Sequence, residues 1–444
     1  MNYKSNYKQR TYLDPIHGPI QLNLNDPTDN LLAQIIDTKE FQRLRRVRQM
    51  GSACFTFHGA EHTRFGHSLG ALFIAKKMVS HLSNFLSEIN DFKTEIFTCA
   101  LLHDIGHGPF SHTAEKLTGL AHENWTKKII SGNSEVNSLL KAFRADLPEK
   151  IIKIFEYNAS PLYLSQIISG YIDCDRLDYL HRDSFFVGVP YGLTGEERII
   201  SSLEIDPGRG KVTSPLLVIN ETIGLDAVIH YLHARYSMYQ QVYQHKKNLS
   251  CDFLLRKICN RIKETCLKNT SQSLHDWLNP ENRTIEKINL DSYLLIDDYS
   301  LTTFIQNLAC DSQTDTILKD LSNRFMSRKL FKSLEFRQEI TKDKINDILE
   351  KIRLISKAKG IDPDYYLGTE QSGTKPYEPY QVTGHKTGKA IFIKQQNGNI
   401  KELSEISGLV KALSQENIVK TCLIFKPELE DEIKNTKGFQ ELFK

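Results

Sequence analysis

Residues 101–112 read "LLHDIGHGPFSH": an apolar helix end, then three histidines and an aspartate set among apolar residues and two glycines. A borderline divalent cation is well served by imidazole nitrogen plus carboxylate oxygen, with coordination positions left open for water and substrate. His103 and Asp104 are adjacent at a helix end, so both can approach one ion. The glycines behind them let the chain turn His107 and His112 toward the same cleft. In a chain with 15 His and 54 acidic residues such a pair also arises by chance. The partners that decide the reading must come from elsewhere in the sequence.

Three other segments concentrate the same chemistry among apolar helices. They are "HTRFGHSLG" (62–70), "HENW" (122–125) and "DCDRLDYLHRD" (173–183). Most of residues 30–355 carries apolar residues at three- and four-residue spacing, as in "NLLAQIIDTKEFQRLRRVRQM", "GALFIAKKMVSHLSNFL" and "LYLSQIISGYIDCDRLDYL", which predicts a mainly α fold. Residues 203–221, "LEIDPGRGKVTSPLLVINE", place a Pro-Gly-Arg-Gly turn between β-branched runs and predict a small β-hairpin excursion. A long helix is expected from about Gly224 into the 260s. Residues 356–389 lose helical periodicity and gain Gly, Pro and Tyr, which reads as a connecting segment after a core spanning 1–355. Beyond it, "AIFIKQQNGNIKEL", "EISGLVKAL" and "CLIF" predict a smaller α/β C-terminal lobe over 390–444.

Composition narrows the class. The chain has 444 residues, enough for a substantial core, with Lys+Arg 57 against Asp+Glu 54 and a net charge of +3. That balance gives no general attraction to polyanions, so phosphate binding has to be local. The start, "MNYKSNYKQR", has no apolar signal region, and no stretch reaches the roughly 18–20 apolar residues of a membrane span. A cytoplasmic location is the expectation. The eight cysteines lack CxxC pairs and read as reduced, mostly buried thiols.

His67, His103, Asp104 and Asp175 together resemble the H…HD…D signature of the HD superfamily of metal-dependent phosphohydrolases. The likeness is closest to its deoxynucleoside triphosphate triphosphohydrolases. "DPIHG" (14–18), "IIDTKEFQRLRRVRQMG" (35–51), "RFGHSLG", "HDIGHGPFSH", "DCDRLDYLHRD" and "VYQHK" (242–246) occur in that family's order and approximate spacing, with a weaker match at "SRKLFK" (327–332). The resemblance covers roughly residues 10–250. It implies an HD-domain helical core and one divalent metal ion (Mn, Mg, Fe or Zn) on those four ligands, with additional Mg accompanying bound nucleotide. It also implies hydrolysis of dNTPs at the α-phosphorus to deoxynucleoside and triphosphate.

By the same resemblance Arg64, Arg176, Tyr179, His112, His122 and Arg235 fall at positions that contact the phosphates or transition state. Arg176 stands where the family's human enzyme has lysine. His107, His122 and Glu115 are expected to form an orienting acid/base relay, with His112 favoured as the proton donor to the departing 5′ oxygen. Gln49 and Asp183 match residues that read the sugar 3′-hydroxyl, and Met50 and Tyr243 the pair that crowds the 2′ position. Asp37, Gln42 and Arg45 match residues that recognise an activating guanine nucleotide (GTP or dGTP). His245 and Lys246 match positions near a second activator's phosphates. Leu13 and Gln241 depart from the family there. A homo-oligomer, dimer or tetramer, follows from the resemblance. The alternatives are an HD phosphohydrolase for a monophosphate, alarmone or cyclic nucleotide, and a nucleotide-binding regulator. For the regulator, "RLRRVRQ" (43–49) would offer a patch for single-stranded nucleic acid, although it reads more readily as helix surface or subunit interface.

Overall fold

The computed structural model describes residues 8–208, 214–279, 284–337, 340–379, 389–416, 418–436, 439 and 442–443. Two helices form its centre. Arg64–Leu82 is buried along most of its circumference, and Lys93–Leu102 is buried at every position from Thr94 to Leu102. A helix apolar all round has to sit inside other helices. These two lie against each other with Cys174–Val187 packed beside the first. The main core surrounds them and draws on helices Pro27–Asp37, Leu147–Phe155, Tyr163–Ser169, Glu221–Met238 and Lys246–Thr265. The fold is mainly α, as the spacing predicts.

Among the described residues, nine short strands decorate this body. β1 (Gln9–Asp14) and β2 (Gly18–Asn23) form an antiparallel hairpin at the N-terminus. β3 (Leu203–Asp206) and β4 (Leu216–Asn220) pair antiparallel at the place where the hairpin excursion is expected. Of its Pro-Gly-Arg-Gly turn, residues 209 and 210 lie outside the described residues. β5 (Lys332–Glu335), β6 (Leu367–Thr374) and β9 (Ile418–Phe425) make a second sheet with β9 in the middle, while β7 (Phe392–Lys394) and β8 (Ile400–Glu402) extend the β3–β4 hairpin.

The structure differs from the sequence reading in two places. The helix expected from Gly224 into the 260s is two helices, Glu221–Met238 and Lys246–Thr265, separated by a π turn at Tyr239–Tyr243. His245 caps the second helix, accepting from Lys247 N at 3.3 Å. Residues 390–444 do not close on themselves either. β7 pairs in parallel with β4, and β9 takes up β5 on one edge and β6 on the other. The segment read as a connector contains the last turn of helix Lys342–Ala358, the short helix Pro363–Tyr366 and all of β6. The physical reason lies in β4, where Leu216, Leu217, Val218 and Ile219 are all buried. A strand apolar on both faces needs cover on both, and its free edge is met by β7.

Candidate metal centre and cleft

His67 faces the interior from the first turn of Arg64–Leu82, His103 ends Lys93–Leu102, and Asp175 lies in the first turn of Cys174–Val187. Asp173 starts that last helix by accepting Arg176 N at 2.7 Å. The ring nitrogens define the centre. His67 Nδ1 lies 2.7 Å from Asp178 Oδ2, and His103 Nδ1 lies 2.9 Å from the Ala100 carbonyl. Both partners are acceptors, so each Nδ1 carries the proton and each Nε2 presents a lone pair. Those two Nε2 atoms are 3.0 Å apart. Asp175 Oδ1 is 3.1 Å from His67 Nε2 and 3.5 Å from His103 Nε2, and Asp104 Oδ2 is 3.4 and 3.5 Å from the same nitrogens. Electron-pair donors that converge while the outer histidine nitrogens are committed elsewhere suit a divalent cation. His67, His103 and Asp175 offer ligand atoms within 4.8 Å of one another and could hold a metal, while Asp104 Oδ2 lies beside both histidines and is bound to Arg64.

Around this point the loop 103–111 is tightly held. Gly106 N donates to Thr126 Oγ1 at 3.1 Å, and a Cβ at Gly106 would run into the His122 carbonyl and the Thr126 backbone nitrogen. Phe110 and Ser111 adopt left-handed backbone (φ 56° and 54°), a costly conformation for side chains with a Cβ. Asp298 Oδ1 accepts Phe110 N at 2.7 Å, and Arg64 Nε donates to Ser111 Oγ at 3.0 Å. Arg64 also binds Asp104 through Nη1 and the Gln49 carbonyl through Nη2. It is therefore a fixed cation beside the centre, buried to 4% exposure.

A cleft of about 600 Å³ opens onto the centre. Its walls include His103, Asp104, Asp175, Arg64, Arg176, Tyr179, Gln49, Met50, Asp183, Tyr243, His107, His112 and His122. Most of the predicted site is thus brought into one cavity. Asp183 Oδ1 meets His62 Nε2 at 2.7 Å, and its Oδ2 accepts from the Tyr243 hydroxyl at 2.8 Å. Gln49 Oε1 is buried without a hydrogen-bond partner among the described residues. Arg176 is anchored to Asp173 and, through Nη1, to the Gly170 carbonyl at 2.6 Å. Tyr239, from the π turn, also faces the cleft.

The histidine group departs from the expected relay. Glu115 Oε1 bonds His122 Nδ1 and lies 3.3 Å from His112 Nδ1. Burial alone would push the Glu115 carboxyl up, but the hydrogen bonds from His112 and His122 outweigh it and hold it far below the usual carboxylate range. His107 makes no hydrogen bond to Glu115, although their ligand atoms lie within 4.8 Å of each other. It stacks face to face on His122 with ring centroids 3.7 Å apart, and its Nε2 sits 3.2 Å from Asp104 Oδ1 at an angle that makes no hydrogen bond. Burial, reinforced by the charges of Arg64 and His122, pushes the His107 imidazole well below its ordinary value. It is a neutral ring that supports His122. His112 is the open member of the group, with its side chain 65% exposed.

Arg235, expected at the phosphates, does not line the cleft. It donates to the Pro376 carbonyl and lies over Tyr239 at 5.3 Å. Pro376 sits in the segment after β6, whose return over this helix the sequence does not signal. The activator positions lie apart from the cleft. Asp37 is paired with Arg10 by two contacts of 2.6 Å, Arg45 Nε donates to Gln42 Oε1 at 2.9 Å and covers the Phe65 ring, and His245 and Lys246 begin Lys246–Thr265. The "RLRRVRQ" patch is largely spent inside the protein. Arg43 is buried on the carbonyls of His107 and Ile296, Arg46 pairs with Asp297, and Arg48 with Glu61 and Asp298.

Sequence reasoning missed His62, Asp178 and Asp298. His62 and Asp178 stand inside quoted motifs, and Asp178, one turn after Asp175, shares its helix face. Asp298 has no local signal.

An HD domain family model matches residues 64–183. The Bacillus subtilis protein YwfO is 36% identical over 411 residues, covering 92% of this chain and 90% of its own. Human deoxynucleoside triphosphate triphosphohydrolase SAMHD1 is 29% identical over 270 residues, 52% of this chain and 41% of that protein. The crystal structure of a phosphohydrolase from Bacteroides thetaiotaomicron superposes with a TM-score of 0.75 at 28% identity, covering 94% of this chain and all of that one.

Proposed function

The chain belongs to the HD-domain phosphohydrolases, and from that premise we propose that it hydrolyses dNTPs at the α-phosphorus, releasing deoxynucleoside and intact triphosphate. The observation that carries this reading is the set of groups at the Asp183 end of the cleft. Asp183, held by His62 and Tyr243, and the Gln49 amide oxygen, which has no hydrogen-bond partner among the described residues, sit in the same cavity as His103, Asp104 and Asp175. Met50 and the Tyr243 ring wall that end with apolar surface, which leaves an extra 2′-hydroxyl without a partner and favours deoxyribose.

A divalent cation at the centre would supply positive charge to a phosphate oxygen and lower the pKa of water. The chain's own groups do the rest. Arg64, pinned by Asp104, Ser111 and the Gln49 carbonyl, offers charge that needs no reorganisation as the phosphate reacts. Arg176 and Tyr179 border the same phosphate end. As water adds to the α-phosphorus the bond to the 5′ oxygen breaks, and that oxygen takes a proton. We assign that proton to His112, whose Nδ1 lies 3.3 Å from Glu115 Oε1 and whose ring lines the cleft. Asp37, Gln42 and Arg45, with His245 and Lys246, are the candidate contacts for GTP or dGTP, whose binding would promote a dimer or tetramer.

Product analysis with each dNTP and NTP, with Mn or Mg and with or without GTP or dGTP, tests this. Tripolyphosphate plus deoxynucleoside is the expected outcome. Pyrophosphate or orthophosphate as the product overturns the reading in favour of another nucleotide hydrolase. Size measurement with and without GTP tests the assembly.

A further inference from the structure

We propose that the turn of the N-terminal hairpin positions the metal centre: His17 and Asp14 act through Asp178 and Arg182 to hold the His67 ring. This rests on the metal centre described above and adds a part to it that lies outside the cleft.

Asp178 is completely buried and accepts four hydrogen bonds. Oδ1 takes His17 Nε2 at 2.6 Å and Arg182 Nη2 at 2.9 Å; Oδ2 takes His67 Nδ1 at 2.7 Å and Arg182 Nε at 2.8 Å. A carboxylate has about four lone-pair positions, so every one is filled. Its plane, and with it the direction in which it pulls His67 Nδ1–H, is set by the other three bonds. The hairpin controls them. His17 comes from the β1–β2 turn and stacks on Phe73 with ring centroids 4.8 Å apart. Arg182 is in turn aimed by Asp14, which takes Nη1 at 2.8 Å and Nη2 at 3.1 Å while its Oδ1 closes the turn on Ile16 N and His17 N. The residue facing this assembly on the central helix is Gly70, where a Cβ would run into both the Asp178 carboxylate and the Arg182 guanidinium. Three separate pieces of chain thus leave room for one carboxylate, and its fourth bond orients a metal ligand. A metal-bound histidine whose second nitrogen is held by a carboxylate depends on that partner for ring orientation. Here the partner depends on the hairpin.

A hairpin that is only glued down by a buried ion pair would change stability when the pair is cut and leave metal affinity alone. A positioning role changes the affinity. The test uses the full chain and measures the Mn dissociation constant by competition with a chelating fluorophore, beside thermal melts without metal. His17→Phe keeps the stack on Phe73 and removes the donor to Asp178. It is expected to weaken Mn binding by about 10- to 100-fold. His17→Gln, which restores an N–H donor, is expected to recover part of the loss. A folded His17→Phe protein with wild-type Mn affinity, set against a His67→Ala protein that binds poorly, overturns the positioning role and leaves the metal centre standing. If His67→Ala also binds normally, the centre is elsewhere and both readings fall. Should His17→Phe not fold, Asp14→Asn supplies the same measurement. It weakens the hold on Arg182 while keeping a side-chain acceptor for the turn, and unchanged affinity in that variant likewise overturns the proposal.

Discussion

Asp298 governs a loop 188 positions away in sequence. Its Oδ1 accepts Phe110 N at 2.7 Å and its Oδ2 accepts Arg48 N at 3.1 Å, which joins the left-handed residues of the metal loop to the chain entering Gln49. Burial pushes its carboxyl up to about 6, although the two backbone donors and Arg48 pull the other way. The unfolded chain titrates near 3.9, so between about pH 4 and 6 the folded state binds more protons and this group's contribution falls as pH rises. Acidification from pH 7 to 4 is therefore expected to stabilise wild type relative to Asp298→Asn, which does not titrate there. Melting curves of both proteins across that range check it; parallel Tm profiles would show that the carboxylate is ordinary. The contrast with the candidate metal ligands explains what was legible. His67, His103, Asp104 and Asp175 announce themselves by donor type and motif, whereas Asp298 acts on two backbone N–H groups. Any acceptor at that point in space would do the same, and nothing in the "IDDYS" around it says so.

At the scale of elements, the loop 103–111 depends on a clamp assembled from three distant segments. Arg43 is 1% exposed and donates from Nη1 to the His107 carbonyl at 2.6 Å and from Nε to the Ile296 carbonyl at 3.0 Å. The Tyr293 ring lies under the Arg43 guanidinium, stacks on Trp125 with centroids 3.6 Å apart, and its hydroxyl donates to the Gly106 carbonyl at 2.7 Å. Arg43→Met keeps much of the volume and strands the two carbonyls. The expected cost is on the order of 3 kcal/mol from denaturant titration, with a lower kcat, because the loop presents His103, Asp104 and His107 together. If kcat were unchanged at that loss of stability, the clamp would serve the fold alone. Helical periodicity revealed the elements that meet here because each buries an apolar stripe. It could not reveal the break at Tyr239–Tyr243, where the apolar spacing of Glu221–Met238 carries on toward Lys246–Thr265. The π turn is visible only through its result, which is to set Tyr239 and Tyr243 into the cleft.

Across the whole molecule, the expectation of a separate C-terminal lobe came from local signals: an Asn-Gly turn, two short strands and a helix. Local signals identify strands but not their neighbours, since register and partner follow from which edges stand open elsewhere. No helix among the described residues is long and apolar enough to cross a membrane. β7 and β8 complete the sheet begun by β3 and β4, and β9 supplies the central strand between β5 and β6, with Cys422, Leu423, Ile424 and Phe425 all buried. Leu423 and Phe425 pack in the smaller core with Phe336, Ile348, Ile352 and Leu367, residues that all precede position 390. Removing 390–444 would therefore bare one edge of β4, separate β5 from β6 and open that core to water. Each buried large apolar side chain left exposed costs about 1.5–3 kcal/mol, and bared strand edges pair with other molecules. A protein ending at Lys389 is accordingly expected to be recovered mainly as aggregate, although the cleft residues from Gln49 to Tyr243 all remain in it. Soluble yield and size-exclusion chromatography check this. A monodisperse 1–389 protein melting with the full chain would show that the C-terminal strands are additions to a core that stands without them.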